Sequence, residues 1–247
     1  MKTTTLLVAI LGLTYLNACS EDSNNENPMV ENPTDTIPAK DITMLPKPDT
    51  LYYLALGDSY TIGESVKTEE RYPVQLVTQL RKDSIVIADP TIIARTGWTT
   101  GQLKQAIENA TLRTKYDLIS LLIGVNNQYQ NLHIEVYKTE FRALLQKAIL
   151  LAGGDKSRVF VVSIPDYAYT PFGQRNPSIS KGVDEYNTIN ADITKQLGVT
   201  YFDITPISRK GFEDPALVAS DGLHPSGKMY GQWVALFYNE IVRKLRN

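Results

Sequence analysis

Three short segments of this chain are apolar runs without regular polar alternation: LYYLAL at 51–56, YDLISLLIG at 116–124 and RVFVVSI at 158–164. A strand that is apolar toward both faces must be covered on both, which is the condition inside a parallel sheet. SIVIA at 84–88 and VTYFDI at 199–204 are weaker strand candidates. Helical periods separate them. Ile134, Tyr137, Phe141, Leu144, Leu145, Ala148 and Ile149 mark one apolar face, which stops at Gly153 and Gly154. Val183, Tyr186, Ile189, Ile193 and Leu197 mark a second, ended by Gly198, and Tyr230, Val234, Phe237, Ile241 and Leu245 mark a third. Strands alternating with helices in this way predict an α/β fold, a parallel sheet covered by helices on both sides. In such sheets ligands bind beyond the carboxyl ends of the strands.

The first 48 residues do not follow this pattern. Lys2 precedes an apolar stretch from Leu6 to Leu16 that is too short to span a bilayer as a mature helix, and 1–18 reads as a signal peptide. The sequence Leu16-Asn17-Ala18-Cys19 resembles a bacterial lipobox, which implies cleavage before Cys19 and lipidation of it. Cys19 is the single cysteine, so no internal disulfide can form. The resemblance implies a membrane attachment through Cys19 in a bacterial cell envelope, at the outer membrane on its periplasmic or surface face. From Ser20 to Pro48 the chain is rich in Asn, Glu, Pro, Thr and Asp. That composition cannot bury enough apolar surface to offset its ordering entropy, so 19–48 is expected to be a disordered tether and 49–247 the folded domain. With 25 basic and 27 acidic residues the net charge is −2, and no basic footprint points to nucleic acid.

Ser59, in LALGDSYTIG, follows the first strand candidate at its carboxyl end. A serine hydroxyl becomes a nucleophile only beside a base that a third group orients; otherwise Ser59 is a helix cap. The chain has two histidines. His133 stands at a helix start, where it caps or decorates a surface, whereas His224 lies in SDGLHPSG, three residues after Asp221. On a short turn that spacing lets the carboxylate accept from Nδ1 of His224 and leaves Nε2 outward, although the same pair could simply shape a loop. Pro225 and Ser226 stiffen the turn and cap the last helix. Gly97, in ARTGWTTG, and Asn126, in IGVNNQY, follow two further strands and offer donors for a developing oxyanion, or merely turn residues.

Taken together, Gly57-Asp58-Ser59, Gly97, Gly124-x-Asn126 and Asp221-x-x-His224 occur in this order after successive strands. Over the body from Leu51 to the last helix the chain resembles the SGNH (GDSL-type) hydrolase family. The resemblance implies a three-layer α/β/α sandwich with about five parallel strands, flavodoxin-like in layout. It implies a serine esterase in which Ser59 is the nucleophile, His224 the general base and acid, and Asp221 the group that orients His224. The backbone N–H groups of Ser59 and Gly97 and the side-chain amide of Asn126 would form the oxyanion hole. Neither cofactor nor metal is implied. Asn127 departs from the family's Gly-x-Asn-Asp pattern, and since the oxyanion donor is retained, the departure bears on the local loop and on substrate contacts.

Trp98, Tyr129, Tyr167, Tyr169 and Phe172 stand in strand-end loops, where they could wall an acyl chain, stack on a sugar, or pack under the loop. The implied substrate is an acyl or acetyl ester of a carbohydrate or lipid. Ser178-Ile179-Ser180-Lys181 matches the Ser-x-x-Lys pattern of penicillin-binding enzymes, but no Ser-Asp-Asn or Lys-Thr-Gly follows it, and Ser180 reads as a helix cap. The rival from another class is a surface-anchored glycan-binding protein on the same fold.

Overall fold

Five strands make one sheet in the order β2-β1-β3-β4-β5, every neighbouring pair parallel. The structure, a computed structural model, describes residues 49–246; the expected signal segment, Cys19 and the whole of the expected tether lie outside the described residues. The strands are β1 (Tyr53–Gly57), β2 (Thr91–Ala94), β3 (Leu118–Leu122), β4 (Val159–Val162) and β5 (Thr200–Phe202). The helices are α1 (Ser59–Ile62), α2 (Tyr72–Lys82), α3 (Thr100–Asn109), α4 (Val125–Tyr129), α5 (Ile134–Leu151), α6 (Pro177–Gln196), α7 (Thr205–Ser208) and α8 (Gly227–Arg246).

Every residue of β1, β3 and β4 is buried, which is why these three read as uninterrupted apolar runs. The edge strands β2 and β5 are partly exposed and carry weaker signals. Helices α2 and α8 pack together, as do α3, α5 and α6, so the sheet is sandwiched between two helical layers. On the α8 side Phe160 stacks with Phe237, Phe202 and Tyr53 at centroid distances of 5.5, 5.8 and 6.5 Å. Tyr72 of α2 meets Trp233 and Phe237 of α8 at 6.2 and 6.3 Å. Against the other layer, Tyr137 and Tyr186 close to 4.5 Å.

The expected strand at 84–88 is corrected. That segment touches β1's approach at one isolated bridge, Leu51 opposite Ile87, whereas the ladder proper pairs Leu54 with Thr91. The register slips by one residue between those pairs, at Asp89–Pro90, because Pro90 has no N–H to donate to a ladder. The helix expected to be capped by Ser180 is also corrected: the cap lies four residues earlier, at Asn176, which accepts from the N–H of Ser178. His133 does cap α5, accepting from Glu135 N–H at 3.3 Å.

The order of strands positions the site. From β1 the chain steps outward to β2, then returns past β1 to β3 and continues the other way, so the loops after β1 and β3 diverge and leave a crevice between them. Gly57 ends β1 in the tightest spot: a Cβ there would lie 2.3 Å from the Leu122 carbonyl oxygen and 2.1 Å from Thr61 Oγ1. Only a residue with no side chain lets the chain turn into α1 this close to β3.

Phe160 is wholly buried and carries ring contacts to both the sheet and α8. Phe160→Ala is expected to destabilise the fold by about 3–5 kcal/mol in urea denaturation. A loss below about 1 kcal/mol would show that this face is not the packed core described.

Candidate active site

Five chain segments converge on one cleft at the carboxyl end of the sheet. The loop after β1 brings Ser59 and Tyr60, the loop after β2 brings Thr96 and Gly97, and that after β3 brings Val125, Asn126 and Tyr129. The turn before α8 adds Leu223 and His224, and the loop after β4 adds Tyr167 and Phe172. The cleft holds about 240 Å³, less than the roughly 300–1,000 Å³ of sites that enclose a drug-sized ligand. The bulk of any large substrate must therefore lie outside it.

Ser59 opens α1 and is 4% exposed. Asp58 caps the helix, its Oδ1 accepting from Tyr60 N–H at 3.0 Å. The Asp58 carboxylate is fully buried and its Oδ2 has no partner of good geometry. Burial pushes its pKa up to about 7, against the partial relief given by the N–H groups of Tyr60 and Gly124. Asp221 is the opposite case. Burial raises it too, but hydrogen bonds from Ser65, His224 and the Leu223 backbone hold it well below the usual carboxylate range. Its Oδ2 accepts from Ser65 Oγ and from His224 Nδ1, each at 2.6 Å, and its Oδ1 from the N–H groups of Leu223 and His224 at 2.9 and 3.0 Å.

A carboxylate only accepts, so the 2.6 Å contact makes Nδ1 of His224 the donor, and the tautomer this selects carries its lone pair on Nε2. The ring is fixed further by Tyr60, edge-on at 5.6 Å. Backbone bonds stiffen the turn: Ala219 N–H donates to the His224 carbonyl at 2.8 Å and Ser226 N–H to Leu217 at 2.8 Å. Ser226 Oγ accepts from Met229 N–H at 3.3 Å as the α8 cap.

Asn126 donates through Nδ2 to the Trp98 carbonyl at 3.0 Å. One of its two amide hydrogens is thereby spent on the loop after β2, which turns the other away from that loop. Among the described residues, the N–H groups of Ser59 and Gly97 donate to no protein acceptor. Gly124, at φ 135°, permits this turn: a Cβ there would strike Tyr137 at 2.6 Å. Asn127 is wholly buried and lines no part of the cleft. It bonds instead to Thr100, accepting from its N–H at 3.0 Å and donating to its Oγ1 at 2.7 Å.

Of the aromatic residues, Tyr129, Tyr167 and Phe172 form a three-ring wall with centroids 6.3–6.4 Å apart. Tyr129 and Phe172 are 57% and 51% exposed. Tyr167 OH is held by Gln128 at 3.0 Å. Trp98 and Tyr169, expected at the substrate, do not line the cleft. Trp98 packs its ring against the core and serves the site through its carbonyl. Tyr167 and Tyr169 share one 3-10 turn, where residues two apart point in different directions, so the ring that faces the cleft excludes the other. Sequence reasoning missed Ser65, whose left-handed backbone at φ 64° aims its hydroxyl across 156 residues at Asp221. It also missed Tyr60, Thr96, Val125 and Leu223; each adjoins a motif residue or lies within four positions of one. Among the described residues no group of three or more His, Cys, Asp and Glu could hold a metal, and no helix is long and apolar enough to cross a membrane.

A family model described as the GDSL-like lipase/acylhydrolase family matches residues 55–232, more than half of the 247-residue chain. No curated protein matches the sequence. Among solved structures, TesA superposes with a TM-score of 0.61 at 13% identity, covering 78% of this chain and 99% of its own. The acetylxylan esterase Axe2 from Geobacillus stearothermophilus gives 0.59 at 19% identity over 79% of this chain and 94% of that one. The psychrotrophic esterase EstA from Pseudoalteromonas sp., inhibited by monoethylphosphonate, gives 0.60 at 18% over 79% and 99%. At these identities the likeness is one of fold.

The raised pKa of Asp58 has a direct consequence for stability. Its folded value near 7 lies above the roughly 3.9 of an unfolded chain, so the native state holds this proton more tightly. The resulting stabilisation is complete below about pH 4 and is lost as pH rises through about 7. Asp58→Asn keeps the helix cap and removes the titration. Relative to the variant, the wild type should lose melting temperature between pH 5 and pH 8; a constant difference across that range would contradict the buried, protonatable Asp58.

Proposed function

The chain belongs to the GDSL-like lipase/acylhydrolase family and is a carboxylic ester hydrolase, and from that premise we propose that it acts through Ser59, His224 and Asp221 by way of an acyl-serine intermediate. The observation that supports this most is the His224 Nδ1 to Asp221 Oδ2 contact of 2.6 Å, with the His224 ring on a wall of the cleft that Ser59 also lines. Family membership sets aside the reading as a glycan-binding protein.

In the proposed reaction Ser59 Oγ adds to the ester carbonyl as His224 Nε2 takes its proton, and Asp221 stabilises the imidazolium without being protonated. The carbonyl electron pair moves onto oxygen, which the Ser59 N–H, the Gly97 N–H and the free Asn126 amide hydrogen receive. Collapse expels the alcohol, which leaves with the proton from Nε2. Water then repeats the sequence on the acyl-serine and releases the acid. Water is the sole co-reactant, so no cofactor enters.

For the substrate we propose an acyl or acetyl ester of a carbohydrate or lipid. The small cleft takes the reacting ester group, and the exposed Tyr129 and Phe172 rings meet the remainder of the molecule at its rim. The name of Axe2, an acetylxylan esterase, ties the same fold to acetyl esters of a polysaccharide and favours the carbohydrate side. For location we propose cleavage after residue 18, lipidation of Cys19 and a tether over 19–48 that holds the domain in a bacterial cell envelope, supported by the Leu16-Asn17-Ala18-Cys19 sequence.

Hydrolysis of p-nitrophenyl esters from acetyl to decanoyl tests the reading. Ser59→Ala should abolish turnover, and Asn126→Ala should lower kcat by about 10² to 10³ with a smaller change in KM. Full activity in Ser59→Ala, or less than about a threefold loss in Asn126→Ala against the 10² expected, removes the respective residue from the mechanism. Ser65→Ala, which deprives Asp221 Oδ2 of its second donor, should cost kcat by roughly two- to tenfold, in line with the loss of one hydrogen bond to a charged group; an unchanged kcat would make Ser65 a bystander.

A further inference from the structure

Asn127 stands beside the proposed oxyanion donor but reaches away from the cleft, into a chain of hydrogen bonds that is buried at Asn127 and Thr100 and part-buried at Glu140. Thr100 N–H donates to its side chain at 3.0 Å, and since a backbone N–H can only donate, the atom facing it must be Oδ1. That fixes the amide's orientation and turns Nδ2 toward Thr100 Oγ1 at 2.7 Å. Thr100 Oγ1 in turn donates to Glu140 Oε2 on α5 at 2.5 Å. Asn127 and Thr100 are both fully buried. Gly101 leaves room for the carboxylate: a Cβ there would stand 3.1 Å from Glu140 Oε1.

The direction of this chain is forced. Glu140 accepts and does not donate, so the single Thr100 hydroxyl proton goes to it, and the hydroxyl lone pair must be met by a donor on residue 127. An amide supplies that donor. A carboxylate at 127 could still accept from the Thr100 N–H, but it would then compete with Glu140 for one proton, leaving a buried acceptor unpaired.

The neighbouring side chains work in parallel. Asn126 bonds to the carbonyl of Trp98, and Asn127 clasps Thr100, so two adjacent residues after β3 grip the segment 98–100 that follows Gly97. The separation between the Gly97 N–H and the Asn126 amide depends on that grip.

We propose that Asn127, Thr100 and Glu140 form a positioning relay that fixes the two halves of the oxyanion hole relative to each other, and that Glu140 is what makes asparagine the required residue at 127. The proposal rests on the assignment of Gly97 and Asn126 as oxyanion donors. None of the three residues touches substrate.

The test is a double-mutant cycle on p-nitrophenyl acetate hydrolysis, with melting temperature recorded for each variant. N127D should lower kcat by about 10- to 100-fold, the scale of a small misplacement, with KM changed less than about threefold, since ground-state binding is untouched. E140Q can donate through its amide to Thr100 Oγ1 and so free the hydroxyl proton for an aspartate at 127, and N127D/E140Q should therefore recover most of the lost kcat, to within about fivefold of wild type. If N127D fails to fold, Thr100→Val against Thr100→Ser carries the test: the serine keeps the hydroxyl and should retain at least several times the kcat of the valine variant. N127D at wild-type kcat, a double variant no better than N127D, or equal Thr100 variants would overturn the relay. N126A measured alongside separates the two failures. A large loss in N126A with no effect at 127 refutes the relay alone, whereas an active N126A refutes the oxyanion assignment beneath it.

Discussion

The reversal of strand order between β1 and β3 is the constraint on which the site depends. Two strands that are neighbours in the sheet send their following loops in opposite directions, and this leaves a gap between them. Gly57 allows the chain to leave β1 almost in contact with the Leu122 carbonyl and start α1 at once, so Ser59 enters the gap on a helix rather than a loose loop. Gly124 turns the chain equally sharply after β3, with Asn126 two residues on. The packed, fully buried strands beneath give these turns a rigid base. Ser59 and Asn126, the proposed nucleophile and oxyanion donor, can then be held from separate loops to the tolerance that catalysis requires.

Two carboxylates near Ser59 show how burial and hydrogen bonding divide the electrostatic roles. Asp58 and Asp221 are both penalised by desolvation, yet Asp221 receives four donors and stays ionised, while Asp58 receives fewer and takes up a proton near neutrality. The negative charge thus sits behind the imidazole, where the proposed reaction develops an imidazolium, and is reduced behind Ser59, where the proposed oxyanion would be repelled. Ser65 contributes from outside the family motifs, donating to the same Asp221 oxygen that receives His224.

Much of this was legible in the sequence because the physics is local there. The apolar runs of β1, β3 and β4 are continuous because both faces are buried, and the helical faces of α5, α6 and α8 repeat at their period. The Asp221-x-x-His224 spacing suits a single tight turn, so the 2.6 Å contact followed from residues three apart. What escaped was non-local. Nothing in the order of residues announces that Ser65 reaches Asp221, or that Asn127 pairs with Thr100. The segment 84–88 reads only as a weak strand candidate, and the ladder forms beyond Pro90, at 91–94. Trp98 and Tyr169 stand near the site in sequence, and side-chain direction, which sequence order does not carry, turns them from the cleft.

The central claim, that Ser59 is activated as a nucleophile by His224, is tested most directly by trapping it. Incubation of the protein with a fluorophosphonate, followed by peptide mass spectrometry, should give one adduct per chain, on Ser59, and His224→Ala should slow its formation by several orders of magnitude while leaving the melting temperature near that of the wild type. An adduct on another residue, no adduct at all, or labelling at an unchanged rate without His224 would contradict the account.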